Sequence, residues 1–89
     1  DWFGADDKVR EIVANNAHEL VGAKERAEMI STLTSGWCGD DDEDAVIQIL
    51  RFSSRKGDMG SVLAYVSSDD ILYALDGSQD GEARRLMGV

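Results

Sequence analysis

The sequence predicts an all-α fold, a compact array of about six short helices. Three observations carry this reading. Apolar residues recur at spacings of three and four along most of the chain, which is the period of one helix face. Glycines and Asp or Ser residues fall at the ends of these periodic stretches, where helices need stops and caps, and there is no proline. The β-branched cluster at 62–66 keeps the helical spacing and does not read as a strand.

Taken in order, Trp2 and Phe3 form an apolar plug beside Gly4, expected to dock on the helices. Asp6 and Asp7 then cap a first helix over 8–21, with Val9, Ile12, Val13, Ala17, Leu20 and Val21 on its inward face and Gly22 as its stop. His18 lies beside that face. No second histidine or nearby cysteine completes a metal set, so it reads as a surface or rim residue. A second helix over 23–34 turns Ala27, Ile30 and Leu33 inward, places Met29 at the edge, and stops at Gly36.

Five consecutive acids, Asp40 to Asp44, precede the next apolar face of Val46, Ile49 and Leu50. Such a run is repulsive in isolation, but unpaired N–H groups and the helix dipole favour negative charge in a first turn. Asp40 is expected to cap a third helix over 41–52, with Glu43 closing a capping box. Asp58 caps a fourth helix over 59–66, facing inward with Met59, Val62, Leu63 and Val66. Ser67 or Ser68 caps a fifth over 69–75, with Ile71, Leu72 and Leu75 inward, and Asp76-Gly77 ends it. Ser78 opens a sixth, with Ala83, Leu86 and Met87 inward and Arg84 and Arg85 outward. Helices this short hold only by burying shared faces.

At 89 residues the chain makes one domain with one modest core. It starts at Asp1 rather than Met, which suggests processing or excision from a larger protein. Eighteen acids against nine bases give a formal net charge of −9. Nucleic acid is thereby excluded as a partner, because phosphates need clustered Lys and Arg; cations and basic partners remain open. The single cysteine, Cys38, cannot form an internal disulfide.

Residues 24–89 resemble an annexin repeat, a five-helix unit. The likeness rests on three stretches. The first is Leu33-Thr34-Ser35-Gly36-Trp37-Cys38-Gly39-Asp40 followed by Glu43-Asp44-Ala45-Val46-Ile47-Gln48-Ile49-Leu50-Arg51, where the family has Gly-X-Gly-Thr-Asp-Glu and then an Ile/Leu helix. The second is Ala74-Leu75-Asp76-Gly77, and the third is the closing Arg85-Leu86-Met87. The resemblance divides the domain into an N-terminal helix, 1–22, and a repeat-like unit, 23–89. It implies calcium-dependent association with a phospholipid surface through the loop, with Gly36, Gly39 and Asp40 as the matching metal candidates. The chain departs from the pattern where it matters for metal. Ala74 stands at the family's distant acidic ligand, and Trp37 and Cys38 lengthen the loop by about two residues. No EF-hand spacing follows Asp40 either.

Within the loop, Trp37 has two readings. It folds back over the core with its N–H at the rim, or it stands exposed for a partner pocket or a membrane interface. Cys38 precedes a helix start that favours a thiolate, but the neighbouring carboxylates oppose one and no base is in evident reach. The expected function is therefore non-catalytic: a scaffold or protein-interaction module, binding another protein or other domains of the parent chain through Gly36, Trp37, Cys38, Gly39 and Asp40. Calcium-dependent membrane binding through 36–42 is the alternative.

Overall fold

The apolar faces and their stops fold into α1 (Asp6–Ala14), a 3-10 turn (Ala17–Leu20), α2 (Ala23–Thr34), α3 (Asp40–Lys56), α4 (Met59–Leu63), α5 (Ser68–Ala74) and α6 (Gly77–Met87). The computed structural model describes residues 6–75 and 77–89, and the described residues contain no strand. The docking expected of Trp2 and Phe3, and the stop at Asp76, lie outside them.

Helix α3 is the longest element, and α1, α2, α4 and α6 all pack on it. Its buried residues Val46, Ile49 and Leu50 meet Val9 and Val13 of α1, Ile30 and Leu33 of α2, Val62 of α4 and Ala83 of α6 in one core. Leu63, Leu72 and Leu86 pack against that core while staying half-buried. Met29, expected at the edge of α2, is fully buried.

The first helix is shorter than its apolar spacing suggests. It ends at Ala14, and Asn16 takes a left-handed conformation with φ 58° and ψ 19°. Asn is one of the few residues that enters this region at low cost. The chain then re-aims as the 3-10 turn. As a result Leu20, expected inward, is 85% exposed, and His18, expected at the surface or rim, is only 2% exposed. The His18 ring meets Phe52 edge-on at 5.8 Å between centroids.

Helix α3 begins at Asp40, with Gly39 rather than Asp40 in the cap position. Glycine offers no capping side chain. The reach-back is made instead by Asp42, whose Oδ2 accepts from the Gly39 N–H at 3.4 Å, while Gly39 O accepts the first helical bond from the Glu43 N–H at 2.9 Å. The helix runs one turn beyond the expected end. It stops at Gly57, whose φ of 87° favours glycine and lets its N–H reach Ser53 O and Ser54 O.

Asp58 precedes α4 as expected, but its side chain caps nothing. It forms a bidentate pair with Arg26, Nη1 to Oδ1 at 2.9 Å and Nη2 to Oδ2 at 2.6 Å. Arg26 is fully buried, also donates to Ser53 Oγ at 2.6 Å, and lies 4.9 Å from the centre of the Phe52 ring. The guanidinium holds the Asp58 carboxyl below its ordinary value, chiefly through the hydrogen bonds between them. Helix α4 is a single short turn of helix ending at Leu63 rather than at 66. Ser67 caps α5 as its spacing suggests, its side chain accepting from the Asp70 N–H at 3.1 Å.

Candidate functional site

The segment between α2 and α3 leaves the core because its backbone cannot continue as helix. Ser35 is extended, Gly36 sits at φ 71°, and Gly39 is extended again before α3 begins. The turn carries Trp37 outward. Trp37 is 87% exposed, so the expected return of its ring over the core does not occur. The indole instead lies across Gly39: a Cβ added there would stand 2.9 Å from indole Cζ3 and 3.1 Å from Cη2. Gly39 thus serves two ends, the start of α3 and a bare surface for the ring. Cys38 between them is half-buried.

Trp37 forms the wall between two open concavities. On one side, a space of about 390 Å³ is lined by Trp37, Gly39, Asp40, Asp41, Asp42 and Arg10. On the other, a space of about 400 Å³ is lined by Thr34, Gly36, Trp37, Cys38, Glu43, Tyr73 and Ala74. The second concavity unites the glycine segment with the end of α5, about 35 residues further along the chain. Tyr73 on its rim is 94% exposed, and Glu43, which also lines it, is 2% exposed.

The five acids do not behave as one solvated run. The helical turn separates them: Asp40, Asp41 and Asp44 face solvent, whereas Asp42 and Glu43 are buried. Asp42 pairs with Arg10 of α1 at 2.5 Å. Asp6 joins this cluster, its carboxyl raised first by burial and then by the neighbouring Asp42. Asp44 accepts from Gln79 of α6 at 2.7 Å. The acidic start of α3 therefore ties α1 and α6 to the central helix as well as suiting the helix dipole. Among the described residues, no group of three or more His, Cys, Asp or Glu is arranged to hold a metal ion.

Of the expected site residues, Gly36, Trp37, Cys38 and Gly39 line these two concavities, and Asp40 lines the acidic one. Sequence reasoning missed Tyr73 and Glu43. Tyr73 sits between the inward Leu72 and Leu75 on α5, so its spacing alone placed it outside the core, and that was the available signal. Glu43 was read as a capping acid. A third concavity of about 200 Å³, lined by His18, Phe52, Gln48, Arg51 and Arg55 among others, lies apart from Cys38. The only histidine and the only cysteine thus line separate concavities. No helix among the described residues is long and apolar enough to cross a membrane.

No family model matches the chain, and neither does any curated protein or solved structure.

Proposed function

We propose that this chain is a non-catalytic protein-interaction module that docks another protein on the face shared by Trp37 and Tyr73. One observation carries the reading. Two aromatic side chains from distant parts of the chain, 87% and 94% exposed, line the same concavity. Aromatic residues at the centre of an interface supply much of its binding energy, and leaving such rings in water brings a folded domain no core packing in return. The resemblance to an annexin repeat is compatible with this use. Five helices, α2 to α6, follow the 3-10 turn, and the glycine segment and Ala74 line one concavity.

A selection of displayed random peptides against the whole chain tests the proposal. Peptides should be enriched that bind the native chain and lose at least about tenfold in affinity for Trp37→Ala or Tyr73→Ala, the equivalent of about 1.4 kcal/mol. Peptides indifferent to both substitutions would place docking elsewhere.

Calcium-dependent membrane association is a second reading, favoured by the outward tryptophan at a turn. Ala74 counts against it, because the resemblance expects an acidic ligand there. Sedimentation with phosphatidylserine vesicles, with and without calcium, separates the two. The Ala74→Glu variant should gain calcium affinity only if the resemblance extends to the metal site.

A further inference from the structure

We propose that the concavity between the 3-10 turn and the second half of α3 binds a phosphomonoester group, held by His18 and Arg55. It is a second site, and it does not depend on the docking face at Trp37. Three properties of the concavity support it.

The first is His18. The ring lines the space of about 200 Å³ and is only 2% exposed, and its Nδ1 is buried with no hydrogen-bond partner among the described residues. Buried polar atoms nearly always have a partner, and a phosphoryl oxygen accepting from Nδ1–H would supply one. The second is Arg55, on the same wall. Its guanidinium carbon lies 5.6 Å from the centre of the Phe52 ring, and its Nη2 stands 3.7 Å from Glu19 Oε2, too far for a hydrogen bond. Its N–H donors form a fixed fork that suits the oxygens of a phosphoryl group. Arg51, which also lines the space, already gives Nε and Nη2 to Glu82 at 2.8 and 3.0 Å, so Arg55 is the guanidinium that can turn to a ligand.

The third is Glu19, which selects the anion. It lines the same space. A carboxylate or a phosphodiester carries one negative charge and would only stand in for Glu19 beside Arg55. A phosphomonoester carries about −1.5 to −2 at pH 7 and three acceptor oxygens, so it can answer Arg55 and His18 together. The formal charge of −9 on the whole chain offers no steering to an anion, so affinity comes from contact inside the concavity. Nucleic acid stays excluded, because a run of phosphates needs clustered Lys and Arg and this concavity holds one phosphoryl group. The charges acting on His18 are Glu19 on its own turn, Arg26 from α2 and Arg55 from α3, and none of them comes from α1. A bound dianion would favour the protonated ring.

The test uses the whole chain. His18 is its only histidine, so the ring C–H resonances report on this concavity alone. Inorganic phosphate, a short capped phosphoserine peptide, dimethyl phosphate and acetate are titrated at ionic strength held constant with sodium chloride. Phosphate and the phosphopeptide should shift the His18 resonances saturably, and dimethyl phosphate and acetate should bind at least about fivefold more weakly. At saturation the titration midpoint of His18 should rise by about one pH unit, the equivalent of about tenfold tighter binding to the protonated ring. Tighter binding of the phosphopeptide than of phosphate assigns the group to a phosphorylated side chain; no gain assigns it to a small phosphomonoester. Arg55→Gln, at an exposed position, should weaken phosphate at least about fivefold. Glu19→Gln should strengthen it, which a merely structural role for Glu19 would not do. Acetate or dimethyl phosphate binding as well as phosphate would overturn the choice of a phosphomonoester. Shifts that never saturate, or that survive Arg55→Gln unchanged, would overturn the site.

Discussion

Two regions of this molecule treat polarity in opposite ways. At the junction of α2, α3 and α4, a guanidinium is sealed inside: Arg26 is fully buried, paired with Asp58, hydrogen-bonded to Ser53 and stacked near Phe52. At the Trp37 face, two aromatic side chains are left in water. The first region uses a group that prefers water to fix where three helices meet, and it supplies nearly every partner that group needs. The second leaves out of the core the residues that would stabilise it most. A buried polar group with its partners present is a device of folding. On the reading proposed above, the exposed aromatic pair serves something outside the chain.

The largest expected effect separates the two partners of the buried pair. Removing Asp58 leaves a guanidinium inside the protein with no counter-charge. Asp58→Ala should therefore cost about 3–5 kcal/mol in a urea titration. Removing Arg26 leaves Asp58, whose side chain is 24% exposed, free to recruit water. Arg26→Met, which keeps most of the volume, should be the milder change. Equal losses, or a larger loss for Arg26→Met, would mean that packing rather than charge holds the junction.

The same junction should respond to pH. Burial lowers the proton affinity of His18 from its ordinary value of 6.5; the nearby Arg26 and Arg55 lower it further, while Glu19 opposes them. Its Nδ1 is buried with no hydrogen-bond partner among the described residues. The unfolded chain thus binds a proton on His18 more readily than the folded chain does. The stability that neutral His18 provides is complete above about 6.5 and declines as pH falls through the lower folded value. Asp6 works the other way at lower pH, because its raised carboxyl takes up a proton more readily in the folded chain. Midpoints of urea unfolding between about pH 7.5 and 5.5 should fall for the native chain and flatten for His18→Gln, the window being set by the ordinary histidine value. An unchanged slope in His18→Gln would assign the dependence to other groups.

Much of the architecture was legible because it is local. Helix α2 occupies the residues its flanking glycines mark, and Ser67 caps α5 as its position before Asp69 and Asp70 suggests. The core residues of α3 follow from spacing alone. What was not legible depends on pairing across the chain or on a single unusual dihedral. Nothing near Arg26 in sequence announces Asp58, although Arg26 stands one turn before Ile30 on the apolar face, a misplaced charge that signals a buried partner. The Asn15-Asn16 pair was a visible place for a break in the first helix, yet the apolar residues on either side kept the helical period and concealed it. The direction of Trp37 was undetermined because a loop residue has no periodicity to orient it. Gly39 was the clue: a residue without a side chain two positions on is where an indole can lie.

The smallest expected effect is the one that makes the Trp37 face distinct from the buried junction. If Trp37 and Tyr73 serve a partner rather than the fold, truncating either should barely move stability. Both side chains are mostly in water already, so little apolar area returns to solvent on removal. Trp37→Ala gives up the indole's contact with Gly39 and also relieves the crowding there. Tyr73→Ala puts a better helix former at an exposed position of α5. Each change should stay within about 0.5 kcal/mol of the native chain in urea unfolding, the usual span for surface positions free of special roles. The double variant should be additive, because the two residues share a cavity wall rather than a core contact. A loss well above 1 kcal/mol for Trp37→Ala would show that the ring holds the start of α3 in place. The face would then belong to the fold, and the contrast with the Arg26 junction would fail at the point where it supports a function.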